Sequence, residues 1–165
     1  MRRASLAIGI ACAVVLLGTA AALARPGLGA RLGWAKPGAA SYAVGTYVDL
    51  EPAFYQGKTT VVLFSRANCE ACRRSKATLA AIVADVAKRS DVQVTFVTPT
   101  TSDQEETDFA RDIGVPPSRH LAIDLSTLRL KHVPALVLVD ERGTVILAHD
   151  GVGIAERQEL AARLQ

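Results

Sequence analysis

The chain has 165 residues, with 19 Lys and Arg against 16 Asp and Glu, and half of its residues are hydrophobic. The first 40 residues hold five basic and no acidic residues, which leaves 14 basic against 16 acidic in the other 125. The basic excess therefore belongs to the N-terminus, and the folded part lacks the basic face that nucleic-acid binding requires. That part is long enough to bury one core of Val, Leu, Ile and Ala without disulfide staples.

Residues 1–24 read as an export segment. Arg2 and Arg3 form a positive end, Leu6 to Leu17 an apolar stretch, and Ala22-Leu23-Ala24 a small-x-small cleavage pattern. The uncharged run 4–24 also has the length of a bilayer span. A removable signal peptide and a retained membrane anchor both stay open, and Arg25 tips the balance slightly toward the anchor. Either way the charged end stays inside and the domain leaves the cytoplasm, to face the periplasm in a bacterial envelope. Cys12 lies within the run as a small apolar residue. A lipobox would want Leu or similar where Gly9 stands. Residues 25–40 are a Gly/Pro/Ala linker, with Trp34 a weak signal for a membrane interface.

Residues 41–165 read as one domain. Tyr42 to Leu50 alternates weakly, as an edge strand would. Gly57-Lys58 turns into Thr59–Phe64, which is apolar enough for a buried central strand. The cysteine pair Cys69-Glu70-Ala71-Cys72 follows, and Leu79, Ile82, Val83 and Val86 then fall at helical spacing. Lys88 and Arg89 suit the end of that helix. Val92, Val94 and Phe96 alternate as a second strand. Ser102 to Glu105 forms a capping box that opens a helix with Phe109 and Ile113 on one face, stopped by Gly114. His120–Asp124 predicts a short strand, and a turn or short helix runs on to Lys131. Ala135–Val139 is a continuous apolar strand. Residues 140–143 form a hairpin loop, Thr144–Ala148 returns, and Ala155–Leu164 closes the chain as a helix.

A strand that delivers two cysteines onto the first turn of a helix points to redox chemistry. The helix N-terminus has unpaired amide hydrogens and a partial positive charge. These favour a thiolate at the first cysteine, and the two-residue spacing lets the second sulfur close a disulfide on it. A structural disulfide over so short a loop would add little stability. Zinc would want four ligands, and His120, His132 and His149 are too scattered for that pattern.

Strand, CxxC, helix, strand, helix, then Val133-Pro134 leading a hairpin and a last helix resemble the thioredoxin fold, an α/β class with a central mixed sheet flanked by helices. More closely, residues 42–165 resemble the TlpA/ResA-like group of membrane-tethered extracytoplasmic thiol–disulfide oxidoreductases. The segment between Thr98 and Lys131 matches that group's insertion. The resemblance implies catalytic roles for Cys69, Cys72 and Pro134. Pro134 would be a cis proline packed against the motif, and the Val133 backbone would bind substrate. Without the resemblance, a trans Pro134 opening a strand would be the plainer reading. The resemblance also implies protein disulfide or dithiol substrates, a membrane-embedded electron donor and no cofactor or resident metal. Cytochrome c and copper-site maturation, or oxidised envelope proteins, are the implied settings.

Several positions depart from the group. Asn68 stands where Trp is usual, Ala71 where proline is frequent, and Leu63 where thioredoxin itself buries an acid. Arg66, Arg73 and Arg74 flank the motif, either lowering a thiol pKa or simply lying in solvent. Glu70 opposes them. The alternative reading is a copper-binding module on the same fold, of the SCO type, with His132 as the distant ligand. That family spaces its cysteines more widely. A peroxiredoxin would want Thr where Arg66 stands.

Overall fold

A computed structural model describes residues 41–100 and 104–165. The export segment, the linker with Trp34, and the Ser102 end of the capping box lie outside the described residues. Among the described residues, no helix is long and apolar enough to cross a membrane.

Five strands form one mixed sheet: β1 Thr59–Phe64, β2 Val92–Pro99, β3 His120–Ile123, β4 Ala135–Val139 and β5 Val145–Asp150. Their spatial order is β3-β2-β1-β4-β5. β1 runs parallel to β2 and antiparallel to β4. β3 extends the parallel side and β5 the antiparallel side. The helices are α1 Glu70–Arg74, α2 Lys76–Ala87, α3 Gln104–Asp112 and α4 Ile154–Arg163.

β1 is apolar from Val61 to Phe64 because both of its faces are covered. Val61 and Leu63 point into one core, with Val94, Phe96, Leu136 and Leu138 from neighbouring strands. Leu79, Ile82, Val83 and Val86 of α2, Phe109 of α3 and Leu160 of α4 close that core. The two-residue period sends Val62 and Phe64 to the opposite face, where Tyr42, Val48, Leu50 and Leu128 cover them. Tyr42 stacks on Phe64 with ring centroids 5.7 Å apart.

Two sequence expectations need correction. Residues 42–50 do not form a strand. A turn from Ala43 to Thr46, with Gly45 at a φ of 86°, breaks the extension. The segment makes one isolated bridge, Tyr47 opposite Thr144, flanked by backbone hydrogen bonds between Gly45 or Thr46 and Val145 and from Val48 N–H to the Gly143 carbonyl. Arg129 ties the segment down further, its guanidinium forking onto both Asp49 carboxylate oxygens at 2.8 and 2.7 Å. The single helix expected after the cysteines is divided at Ser75, whose ψ of −4° opens the turn between α1 and α2. Gln93 and Thr95, which carry no function in the sequence reading, both donate to the Phe54 carbonyl and hold the 3₁₀ turn Pro52–Phe54 on the sheet.

Candidate active site

The register places the site. Phe64, the last residue of β1, pairs with Ala135, the first of β4, and with Val97 of β2. The peptide leaving β1 and the peptide entering β4 therefore meet at one end of the sheet. Cys69 is five residues past Phe64, and Val133-Pro134 directly precedes Ala135. α3 follows β2 at the same end.

Cys69 is the N-cap of α1 and is half-buried. Its Sγ accepts the Cys72 N–H at 3.3 Å. Its thiol donates to the Val133 carbonyl at 3.7 Å. The Val133–Pro134 peptide bond is cis. Cys72 is one turn on and completely buried. The two sulfurs are free thiols. Burial, and then the neighbouring Cys69 sulfur, push the Cys72 thiol up to about 11, against the pull of the Ser65 hydroxyl and the Arg66 backbone N–H. At neutral pH Cys72 is thus held protonated.

The flanking charges act elsewhere. Glu70 pairs with Arg73 at 3.0 Å and Arg74 at 3.5 Å, and all three side chains are more than half exposed. Such pairs are solvent-screened and worth little. Asn68 and His132 are exposed, and Pro134 is buried. His120 sits on the outer strand β3, where its Nε2 meets Thr98 Oγ1 at 2.8 Å. His149 lies on β5 at the other side of the sheet. Among the described residues, no group of three His, Cys, Asp or Glu side chains is placed to hold a metal ion.

Two residues at the site escaped the sequence reading. Glu106 of α3 is buried, and its carboxylate accepts the Ala67 N–H at 2.9 Å. It thereby fastens the loop that carries Cys69. The signal was present: Glu106 stands three residues before Phe109 and seven before Ile113, on the apolar face of its helix. Ser65, directly after β1, is buried, and its hydroxyl lowers the Cys72 thiol somewhat against the dominant effect of burial. Glu106→Ala should destabilise the domain by about 1–3 kcal/mol, because it leaves the Ala67 amide without its acceptor. Glu106→Gln should cost less, since the amide oxygen still accepts. Urea unfolding of the two variants checks this, and equal costs would refute it.

Residues 48–165 match the family model described as a thioredoxin-like domain. None of the curated proteins matches the chain by sequence. Among solved structures, the thioredoxin domain of a thiol-disulfide oxidoreductase from Bacteroides vulgatus is 13% identical with a TM-score of 0.61. That match covers 75% of this chain and 99% of the other. StoA from Bacillus subtilis is 16% identical with a TM-score of 0.53, over 67% and 84% of the two chains. A secreted Mycobacterium tuberculosis disulfide oxidoreductase, homologous to DsbE of E. coli, is 17% identical with a TM-score of 0.54, over 70% and 86%. At these identities the neighbours establish a shared fold. The family model spans most of the chain, and with it the cysteine pair and the Val133-Pro134 entry to β4: this chain belongs to the thioredoxin-like domain family.

Proposed function

We propose that the domain is an extracytoplasmic thiol–disulfide oxidoreductase that reduces disulfides of envelope proteins. One observation carries the reading: a half-buried Cys69 sulfur meets both the Cys72 N–H and the Val133 carbonyl, with Cys72 buried behind it. Cys69 thiolate attacks a substrate disulfide and releases one substrate sulfur. A mixed disulfide remains on Cys69. Cys72 then attacks Cys69 Sγ, closes the internal disulfide and frees the second substrate sulfur. The substrate strand pairs beside Val133, where Pro134 shapes the entry to β4. A membrane-embedded donor returns two electrons to the pair.

The apolar run 4–24 and its flanking arginines support the extracytoplasmic setting, and the Mycobacterium tuberculosis neighbour is described as secreted. Cytochrome c or copper-site maturation would supply fitting substrates. The copper-binding alternative has no comparable observation in its favour, since His132 is exposed.

The test is reduction of insulin by the full chain, with and without added copper. Turnover that is independent of copper is expected. Copper binding without any turnover would overturn the reading in favour of the alternative. Fractionation tests the location: an intact N-terminus in a soluble cytoplasmic pool would refute export, and a periplasmic form starting at Arg25 would refute only the anchor.

A further inference from the structure

The peptide that meets Cys69 is held from behind by the first residue of the domain. Residues 129–134 lie in no strand or helix, and the pairing of β4 begins only at Ala135. Leu130 and Val133 pack part of their side chains on the core, which leaves the peptide groups of the stretch to other partners. Side chains of the segment 41–50 supply them. The Arg129 N–H donates to an Asp49 carboxylate oxygen at 3.3 Å, and the Lys131 N–H donates to Ser41 Oγ at 2.9 Å. Two residues after Lys131 stands Val133, whose carbonyl meets Cys69 Sγ at 3.7 Å.

Ser41 is itself fixed. It is buried, its hydroxyl donates to Asp150 Oδ1 at 2.6 Å, and its N–H divides between both Asp150 carboxylate oxygens at 3.3 and 3.2 Å. Asp150 ends β5, in register with Ala135, the residue after Pro134. One hydroxyl therefore donates to the sheet and accepts from the loop, using both of its capacities. The bond to the carboxylate is short and charge-assisted, so it pins the oxygen that the Lys131 amide needs. Ser41 is 109 positions from Asp150 and 90 from Lys131, so no local pattern in the sequence announces the latch.

We propose that Ser41 is a positioning residue for substrate binding: through the Lys131 amide it holds the 131–133 peptide in the place where a substrate strand pairs. This role rests on the thiol–disulfide function proposed above. Ser41 touches neither sulfur nor substrate, so it acts on affinity for an extended peptide and not on the reactivity of Cys69. Without its oxygen the Lys131 N–H loses its acceptor and the peptide samples other positions. Only the fraction of molecules with the peptide in place then binds, and apparent affinity falls by that fraction. A latch with no part in binding would lower stability alone, and would treat small and peptide disulfides alike.

The test uses the reduced full chain carrying Cys12→Ala, so that only the motif reacts. Two probes share one leaving group: dithiobis-nitrobenzoate, which has no peptide, and a short peptide whose single cysteine is joined to nitrothiobenzoate by a disulfide. Attack by Cys69 on either probe releases the coloured nitrothiobenzoate anion, read by stopped-flow absorbance. Ser41→Ala should raise the half-saturating peptide concentration about tenfold, the effect of freeing the backbone of about one residue, and leave the limiting rate unchanged. The rate with dithiobis-nitrobenzoate should match that of the parent chain, which also certifies the fold. Ser41→Thr keeps the hydroxyl and should restore half-saturation. Asp150→Ala should raise the half-saturating concentration in the parent chain but not in a chain already carrying Ser41→Ala, because both act through one latch. An unchanged half-saturation in Ser41→Ala, or equal slowing with both probes, would overturn the positioning role. A parent chain that releases no nitrothiobenzoate from either probe would overturn the dithiol function, and this inference with it.

Discussion

Cys69→Ser should abolish disulfide exchange, and Cys72→Ser should turn the protein into a trap for its substrates. The two sulfurs differ in exposure and in what surrounds them. Cys69 is half-buried, caps α1 and receives the Cys72 N–H. Cys72 has no solvent exposure, and burial pushes its thiol up to about 11. Its thiolate therefore becomes abundant only well above neutral pH. Loss of an attacking nucleophile typically costs several orders of magnitude, so insulin reduction should fall by roughly three orders of magnitude or more in Cys69→Ser. In Cys72→Ser the first attack proceeds but resolution stops. Mixed disulfides should then accumulate on non-reducing gels and vanish with added dithiol. Alkylation of the reduced chain at mildly acidic pH, read by peptide mass, should mark Cys69 first. Preferential marking of Cys72 would reverse the assignment.

Phe96→Ala should remove a large share of the domain's stability. Phe96 lies in the middle of β2, fully buried, and its backbone partners are Leu63 and His120. Its ring stacks on Phe109 of α3 at 6.2 Å between centroids and lies 6.0 Å from the His120 ring. Truncation opens a cavity where β1, β2, β3 and α3 converge. Buried Phe→Ala changes cost about 3–5 kcal/mol, against a total of about 5–15 kcal/mol for an ordinary domain. Urea unfolding should show a midpoint far below that of the parent chain. A loss under about 1 kcal/mol would mean that the core relaxes to fill the gap, which the rigid strand pairing on both sides of β2 argues against.

The strands that make the sheet were legible because their burial is written as composition. Thr59–Phe64, apolar from Val61 on, and Ala135–Val139, apolar throughout, read as strands covered on both faces. Their ends match the expected ones. The α2 face Leu79, Ile82, Val83 and Val86 was legible from its helical spacing, and all four residues are buried. Weak alternation misled at residues 42–50. Tyr42, Val48 and Leu50 do bury, but a glycine turn and the Asp49–Arg129 fork give them an irregular path instead of a ladder. Nothing local announces an ion pair that joins residues eighty positions apart.

The cysteine pair, its place after a central strand and the thioredoxin-like fold were determined by the sequence itself, because spacing and hydrophobic period are local properties. What surrounds the sulfurs was decided by tertiary structure. Antiparallel pairing of β1 with β4 brings Val133 to Cys69 across 64 positions. Parallel pairing of β1 with β2 brings α3, and with it Glu106, under the Cys69 loop. Leu63 had suggested a site without a buried carboxylate, and the fold supplies one from another element, directed at the backbone of the loop. Ser65 carried no signal in the sequence. Only the packing shows that its side chain is buried, because burial belongs to the assembled sheet and not to any stretch of chain.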